Sequence, residues 1–289
     1  MAMLSLPREK APLLMEVVDR LQEIPGIAAI VLGGSYARGV AHAGSDLDLG
    51  LYYRPGHAFD IQEVRRVAEH FSSSSTPPVV TNFYGWGPWV NGGAWIHTKA
   101  GKVDFLYKNI DQVEHVIDDA QRGVVEHDYS QQPPYGFHSV VYLAETKCCV
   151  PLHDPEGVIE QLKRRVAQYP KALKERVVQT NLWGAEFSFY VATSANVYVA
   201  AGCLTRVAQY LTQALFALNE EYFMSDKDAV RQIERFERRP RDYANRLSAI
   251  LARPGVTADE LQQSLVAMKQ IWQETVELAG DLYRSSYVL

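Results

Sequence analysis

The chain has 289 residues, which is long enough for one large domain or two modest ones. Hydrophobic residues make up 47% and charged residues 22%, a globular composition that excludes a disordered protein. Lysine and arginine number 29 against 34 aspartates and glutamates, a formal charge of −5, so a broad basic surface for duplex nucleic acid is disfavoured.

The N-terminal segment MAMLSLPREKAPLLMEVVDRL has the spacing of an amphipathic helix and lacks the apolar core of a signal peptide. No apolar run in the sequence approaches the ~20 residues that a membrane-spanning helix needs. Cys148, Cys149 and Cys203 follow neither a metal-binding nor a disulfide spacing. We therefore expect a cytoplasmic protein with no membrane contact.

Short apolar runs alternate with helical patterns in the first half of the chain. GIAAIVLGG is typical of a buried strand, and LDLGLYY of a strand with two unlike faces. HAFDIQEVRRVAEHF has helical spacing. The segment VVTNFYGWGPWVNGGAWIHTKAGKVDFLYKN carries three further strand-like runs between glycine-rich turns, and IDQVEHVIDDAQ returns to helix.

From HDPEGVIEQLKRRVAQYP onward the pattern is almost entirely helical. Asp154 is predicted to cap a helix that begins at Pro155. Thr257 and Glu260 have the spacing of a capping box that opens the last helix. The sequence thus predicts an α+β fold: a small mixed sheet with flanking helices in residues 1–153, followed by an all-α helical bundle in residues 154–289.

The stretch VLGGSYARGVAHAGSDLDLGLYY joins a glycine-serine turn to two closely spaced carboxylates, Asp46 and Asp48. Alternation along a strand places both on one face, about 7 Å apart. Two buried like charges need a positive partner, and such a pair can bridge divalent ions that clamp a phosphoryl transfer. The Gly33-Gly34-Ser35 turn offers backbone amides and a hydroxyl to a triphosphate.

These residues resemble the nucleotidyltransferase superfamily that includes DNA polymerase beta and the aminoglycoside nucleotidyltransferases. The resemblance rests on Gly-Gly-Ser, a spacer of ten residues and Asp-Leu-Asp, with a third carboxylate, Asp104, in the apolar run KVDFLY. It implies that Asp46 and Asp48 hold two Mg²⁺ ions and that Asp104 holds the one nearer the acceptor hydroxyl, whose proton it can accept. It also implies that Ser35 and the Gly34 amide hold the terminal phosphates of ATP or another nucleoside triphosphate.

Five further residues have two interpretations each. Arg38 contacts phosphate or locks its loop through a salt bridge, and Lys227 contacts the triphosphate or is simply solvated. Glu145 is the alternative to Asp104 as general base. Trp86 and Trp89, the aromatic residues expected to be most exposed, stack on a base or a sugar-like acceptor or pack on the sheet.

The sequence therefore predicts a metal-dependent nucleotidyltransferase. It would move a nucleoside monophosphate, AMP from ATP, onto a hydroxyl of a small molecule such as an aminoglycoside-like compound and release pyrophosphate. One alternative is a nucleotidyltransferase of the toxin–antitoxin type, which acts on a protein or a tRNA. A second alternative, from another class, is a catalytically silent regulatory module that binds a nucleotide.

Overall fold

The computed structural model describes residues 6–42, 44–132 and 134–285. The strands are β1 (Ala29–Leu32), β2 (Leu47–Tyr53), β3 (Val79–Val80), β4 (Gly93–Thr98), β5 (Gly101–Asn109), β6 (His127–Asp128), β7 (Phe137–His138) and β8 (Val150–His153). The α-helices are α1 (Lys10–Leu21), α2 (Gly34–Ala37), α3 (Ile61–Phe71), α4 (Ile110–Gln121), α5 (Val140–Cys148), α6 (Val158–Arg165), α7 (Lys171–Val191), α8 (Val197–Leu218), α9 (Asp226–Ile233), α10 (Tyr243–Ala252) and α11 (Ala258–Ala279).

A mixed sheet of six strands occupies the N-terminal part, in the order β3-β4-β5-β2-β1-β8. The central strands β2 and β5 run parallel, and the other neighbouring pairs are antiparallel. A helix and two strands separate β2 from β5 along the chain, which gives the long connection that a parallel pair requires.

One face of this sheet forms the hydrophobic core. Alternate residues of β2 and β5, such as Leu47, Leu49 and Phe105, are fully buried on that face. Helix α1 packs there with Leu14, Val17, Val18 and Leu21, whose spacing of three and four residues gives one apolar stripe. The intervening positions of both strands, including Asp48 and Asp104, lie on the opposite face. The core thus fixes the side from which the carboxylates project.

The predicted fold class is confirmed, because the N-terminal mixed sheet with its helices is followed by a helical region, α7–α11. The capping box that opens α11 is also confirmed: Thr257 accepts from the Glu260 backbone N–H, and the Glu260 side chain accepts from that of Thr257. Within this region α8 is almost wholly buried from Val207 to Leu218, in agreement with its apolar sequence.

The structure contains one strand that the sequence did not predict and moves the start of one helix. Strand β8 pairs with β1 at the edge of the sheet, although nothing in its sequence alternates. The helix after Asp154 begins at Val158 rather than at Pro155, and Gly157 precedes it in a left-handed conformation. Asp154 instead accepts a hydrogen bond from the backbone N–H of Glu160, 3.2 Å away. It therefore contacts the first turn of α6, although it does not stand directly before the helix as predicted.

The chain divides into two compact units. The first contains the residues up to Asp118 and Tyr142–Gln168, and the second contains Asp119–Val141 and the residues from Tyr169 onward. The division into residues 1–153 and 154–289 stays a prediction. None of the helices in the described ranges combines the length and the apolar content that crossing a bilayer requires.

Candidate active site

The turn after β1 lies directly against Asp48. The backbone N–H of Gly33 donates to the Asp48 carbonyl at 2.8 Å. Gly34 has a φ of +58°, and a Cβ atom at this position would lie 1.7 Å from Asp48 Oδ2. Only glycine tolerates both this left-handed conformation and so close an approach of the Asp48 carboxylate to its backbone. The Gly-Gly sequence therefore brings the backbone into contact with the carboxylate of the next strand.

Asp48 and Asp104 face each other across the two parallel strands. The register of β2 and β5 pairs Leu47 with Val103, Asp48 with Asp104, and Leu49 with Phe105. Paired residues of neighbouring strands, which are about 4.8 Å apart, project to the same face of a sheet. Two carboxylates that are distant in the sequence are thus adjacent, each between buried apolar residues that fix the strand orientation.

The surroundings of Asp104 disfavour its charged form. Burial, and to a lesser degree the negative charge of Asp46, raises the pKa of Asp104 from 3.8 to about 6, and Lys102 opposes the shift. Asp46, one residue before β2, is therefore close enough to interact with Asp104. A cation at this position would relieve the repulsion among the carboxylates.

Sequence reasoning missed Lys10. This lysine is only 5% exposed, and its ammonium donates to the Ser45 carbonyl, directly before Asp46. The ammonium also lies 5.2 Å from the centre of the Tyr36 ring, in the segment that follows the glycine turn. Lys10 thus links α1 to both segments of the candidate site. Its position on the apolar stripe of α1, four residues before Leu14, is the signal that could have identified it.

Glu145, the alternative general base, is already engaged. Its Oε2 lies 2.6 Å from Lys108 Nζ, and the Lys108 side chain is 10% exposed. The Lys108 ammonium also lies 4.9 Å from the centre of the Tyr142 ring. Glu145 and Lys108 border a small cavity together with Asp48, so this ion pair lies beside the carboxylates.

The remaining predicted residues lie in different parts of the chain. Ser35 lies in α2, partly buried, next to Gly34. Arg38 directly follows α2. Burial raises the pKa of Cys148 to about 12, and the charge of Arg38 opposes this rise, which places the guanidinium near the end of α5. Lys227 is exposed in the first turn of α9, within the second unit. The nucleotide-binding roles of these residues stay predictions.

The expectation about exposed tryptophans is wrong in one respect. Trp89 is only 9% exposed, and the Tyr142 hydroxyl donates to its carbonyl. Trp95, in the same segment, is 46% exposed, and Trp86 stacks on it with ring centroids 4.2 Å apart. Because β4 pairs Trp95 with Asp104, this indole lies beside the third carboxylate.

The carboxylates are the residues that would hold a metal ion. Within residues 6–42, 44–132 and 134–285, no three His, Cys, Asp or Glu side chains form a group that could hold a metal ion by itself. Mg²⁺, however, is usually held by one or two carboxylates together with waters and substrate phosphates. Asp48 and Asp104 supply this kind of donor set, so the chemistry of the residues fits Mg²⁺ when a triphosphate contributes the other oxygens.

One of three comparisons with known proteins points to nucleotide chemistry. Residues 14–81 match the model of the nucleotidyltransferase domain family, a range that includes Gly34, Asp46 and Asp48 but ends before Asp104. A nucleotidyltransferase-like protein of solved structure from Exiguobacterium sibiricum is 11% identical, over 96% of this chain and 78% of that chain, with a TM-score of 0.38. No curated protein matches the chain.

Proposed function

We propose that this chain is a metal-dependent nucleotidyltransferase that moves a nucleoside monophosphate, AMP from ATP, onto a hydroxyl of a small molecule. The observation that carries the proposal is the register of β2 and β5, which pairs Asp48 with Asp104. The match of residues 14–81 to the nucleotidyltransferase domain supports the same chemistry from the sequence side.

The carboxylates have separate tasks in this proposal. Two Mg²⁺ ions, when bound by Asp46, Asp48 and Asp104, would supply Lewis-acid stabilisation of the charge that develops on the phosphate oxygens. Asp104 accepts the proton of the acceptor hydroxyl. The acceptor oxygen then forms a bond to the α-phosphorus, the bond to the β-phosphate oxygen breaks, and pyrophosphate leaves.

The triphosphate is held by the turn after β1. The Gly34 amide and the Ser35 hydroxyl contact the terminal phosphates, and Arg38 is the candidate cation beside them. Asp48 lies against Gly34, so the phosphate contacts and the carboxylates are parts of one site. The net charge of −5 favours a small acceptor over a polynucleotide.

Transfer of label from ATP tests this proposal. The purified protein is incubated with Mg²⁺, ATP labelled at the α-phosphate, and either the small-molecule or the polymer fraction of a cell lysate. We expect label in small molecules together with pyrophosphate release, and neither product with Asp48→Asn. Label in protein or tRNA would indicate the polymer acceptor instead. ATP binding without pyrophosphate release in either fraction would indicate a silent nucleotide-binding module.

A further inference from the structure

The second unit contains a cavity that the proposed transfer reaction does not use. Its volume is about 160 Å³, and every residue that lines it belongs to that unit. A cavity of about 150 Å³ can hold one benzene ring. Six of the lining side chains are aromatic rings: His127, His138, Tyr169, Tyr210, Phe216 and Phe223. The cavity therefore has the size and the lining of a site for a single ring.

Gln213 brings an unpaired hydrogen-bond donor to this cavity. It is only 4% exposed, and among the residues that the structure describes none accepts a hydrogen bond from its Nε2. Gln209, one turn earlier on α8, is equally buried, but its Nε2 donates to His138 Nε2 at 2.8 Å. Buried amides are normally hydrogen-bonded, and an unpaired one is costly. Because Gln213 lines the cavity, a ligand that carries an acceptor would satisfy it.

The two imidazoles that line the cavity supply one acceptor and one donor. His127 on β6 pairs with His138 on β7, and their rings stack with centroids 3.9 Å apart. Burial lowers the pKa of both rings, so both are neutral at pH 7. His127 Nε2 donates to the Tyr135 carbonyl at 2.6 Å, which leaves the Nδ1 of His127 as an acceptor. His138 Nε2 accepts from Gln209, which leaves the Nδ1–H of His138 as a donor.

Formal charge has a small part in this cavity. Glu221 is the one charged group at neutral pH among the lining residues, all of which lie in the described ranges, and it is exposed. The polar groups deeper in the lining are the neutral imidazoles and the Gln213 amide. Binding here would therefore depend on apolar contact and neutral hydrogen bonds rather than on ion pairs.

We propose that this cavity is a second small-molecule site, which binds one aromatic ring that carries a carboxamide or lactam edge. The carbonyl of such an edge accepts from the Gln213 amide, and its N–H donates to His127 Nδ1. The ring packs among the aromatic side chains, whose contact area supplies most of the affinity. The lining residues differ from those of the candidate active site, so the inference does not depend on the proposed function.

Binding of three probes to the full chain tests this inference. Benzamide carries both the ring and the carboxamide, toluene carries the ring alone, and acetamide carries the carboxamide alone. Binding is followed by the NMR resonances of the Gln213 side-chain amide, assigned from triple-resonance spectra of the wild type. We expect a saturable shift with benzamide, binding of toluene at least about fivefold weaker because it makes no hydrogen bond, and no saturable shift with acetamide.

Two glutamine variants make the test specific. Gln213→Met should weaken binding of benzamide about fivefold and leave toluene unaffected, because it removes the amide and keeps an unbranched side chain. It should also raise the urea midpoint of the free protein, since an unpaired buried donor is removed. Gln263→Met removes an amide from an exposed position on α11 that does not line the cavity, so binding of benzamide should stay as in the wild type.

Three results would overturn the inference. The first is no saturable shift with benzamide, and the second is toluene binding as tightly as benzamide. The third is a Gln213→Met variant that binds benzamide with wild-type affinity or unfolds at a lower urea concentration, because the amide would then have a partner within the protein. These measurements require neither ATP nor Mg²⁺, so they are independent of whether transfer of AMP is observed.

Discussion

The contact between Gly34 and Asp48 predicts the effect of adding a single methyl group. In Gly34→Ala the new Cβ would lie 1.7 Å from Asp48 Oδ2 and 2.6 Å from its Cγ, so the carboxylate must move. The left-handed φ of +58° adds about 1–2 kcal/mol of backbone strain. A displacement of about 1 Å at a reacting centre can lower a rate by about 10². We therefore expect Gly34→Ala to be destabilised and nearly inactive.

Gly39→Ala is the matched control for this variant. Gly39 has a φ of +68°, and no atom lies within 4 Å of the Cβ that alanine would add. The control therefore bears the same strain of about 1–2 kcal/mol without touching Asp48. Urea unfolding and pyrophosphate release are measured for both variants. We expect both variants to lose stability and only Gly34→Ala to lose activity. Normal turnover of Gly34→Ala would refute the assigned contact with Asp48.

Two further predictions concern titratable groups. Asp104→Asn should keep the affinity for ATP and Mg²⁺ by calorimetry but lower turnover by at least about 10². The folded-state pKa of Asp104 is raised from 3.8 to about 6, so the stability of the metal-free wild type falls as the pH rises through this window. At pH 8 the metal-free variant should therefore be more stable than the wild type by about 1 kcal/mol, after allowance for solvent screening. Equal stability of the two proteins would contradict this. Burial lowers the pKa of His138 from 6.5 to about 3, so its contribution to stability is full above pH 6.5 and decreases toward pH 3. The loss is about 2 kcal/mol by pH 5, and urea unfolding at pH 7.5 and pH 5 should show a smaller loss in His138→Gln than in the wild type.

Elements that follow from local pattern were predictable. LDLGLYY forms β2 over the predicted residues, because alternation of leucine with other residues specifies both a strand and its buried face. The capping box of Thr257 and Glu260 is equally local, since its two hydrogen bonds join residues of one helical turn. The placement of Asp48 on the face opposite Leu47 and Leu49 follows from the same alternation.

Features that depend on distant partners were not predictable. Strand β8 contains Pro151, which argues against a strand, but the edge of the sheet tolerates proline. Trp89 is buried and Trp95 exposed because of tertiary packing around β4, which no spacing of aromatic residues reveals. The link from Lys10 to Ser45 joins two segments 35 residues apart, so periodicity can mark Lys10 as buried without naming its partner.

The cooperation of carboxylates, metal and nucleotide is the central claim, and calorimetry with a non-hydrolysable ATP analogue tests it most directly. Affinity is measured with Mg²⁺ and with EDTA for the wild type, for Asp48→Asn, and for Asp19→Asn, which alters an exposed carboxylate on α1. We predict that Mg²⁺ strengthens binding at least about tenfold in the wild type and in Asp19→Asn, because the metal offsets repulsion between the carboxylates and the triphosphate. Asp48→Asn should lose this gain. An equal effect of Mg²⁺ on Asp48→Asn and the wild type would contradict the account.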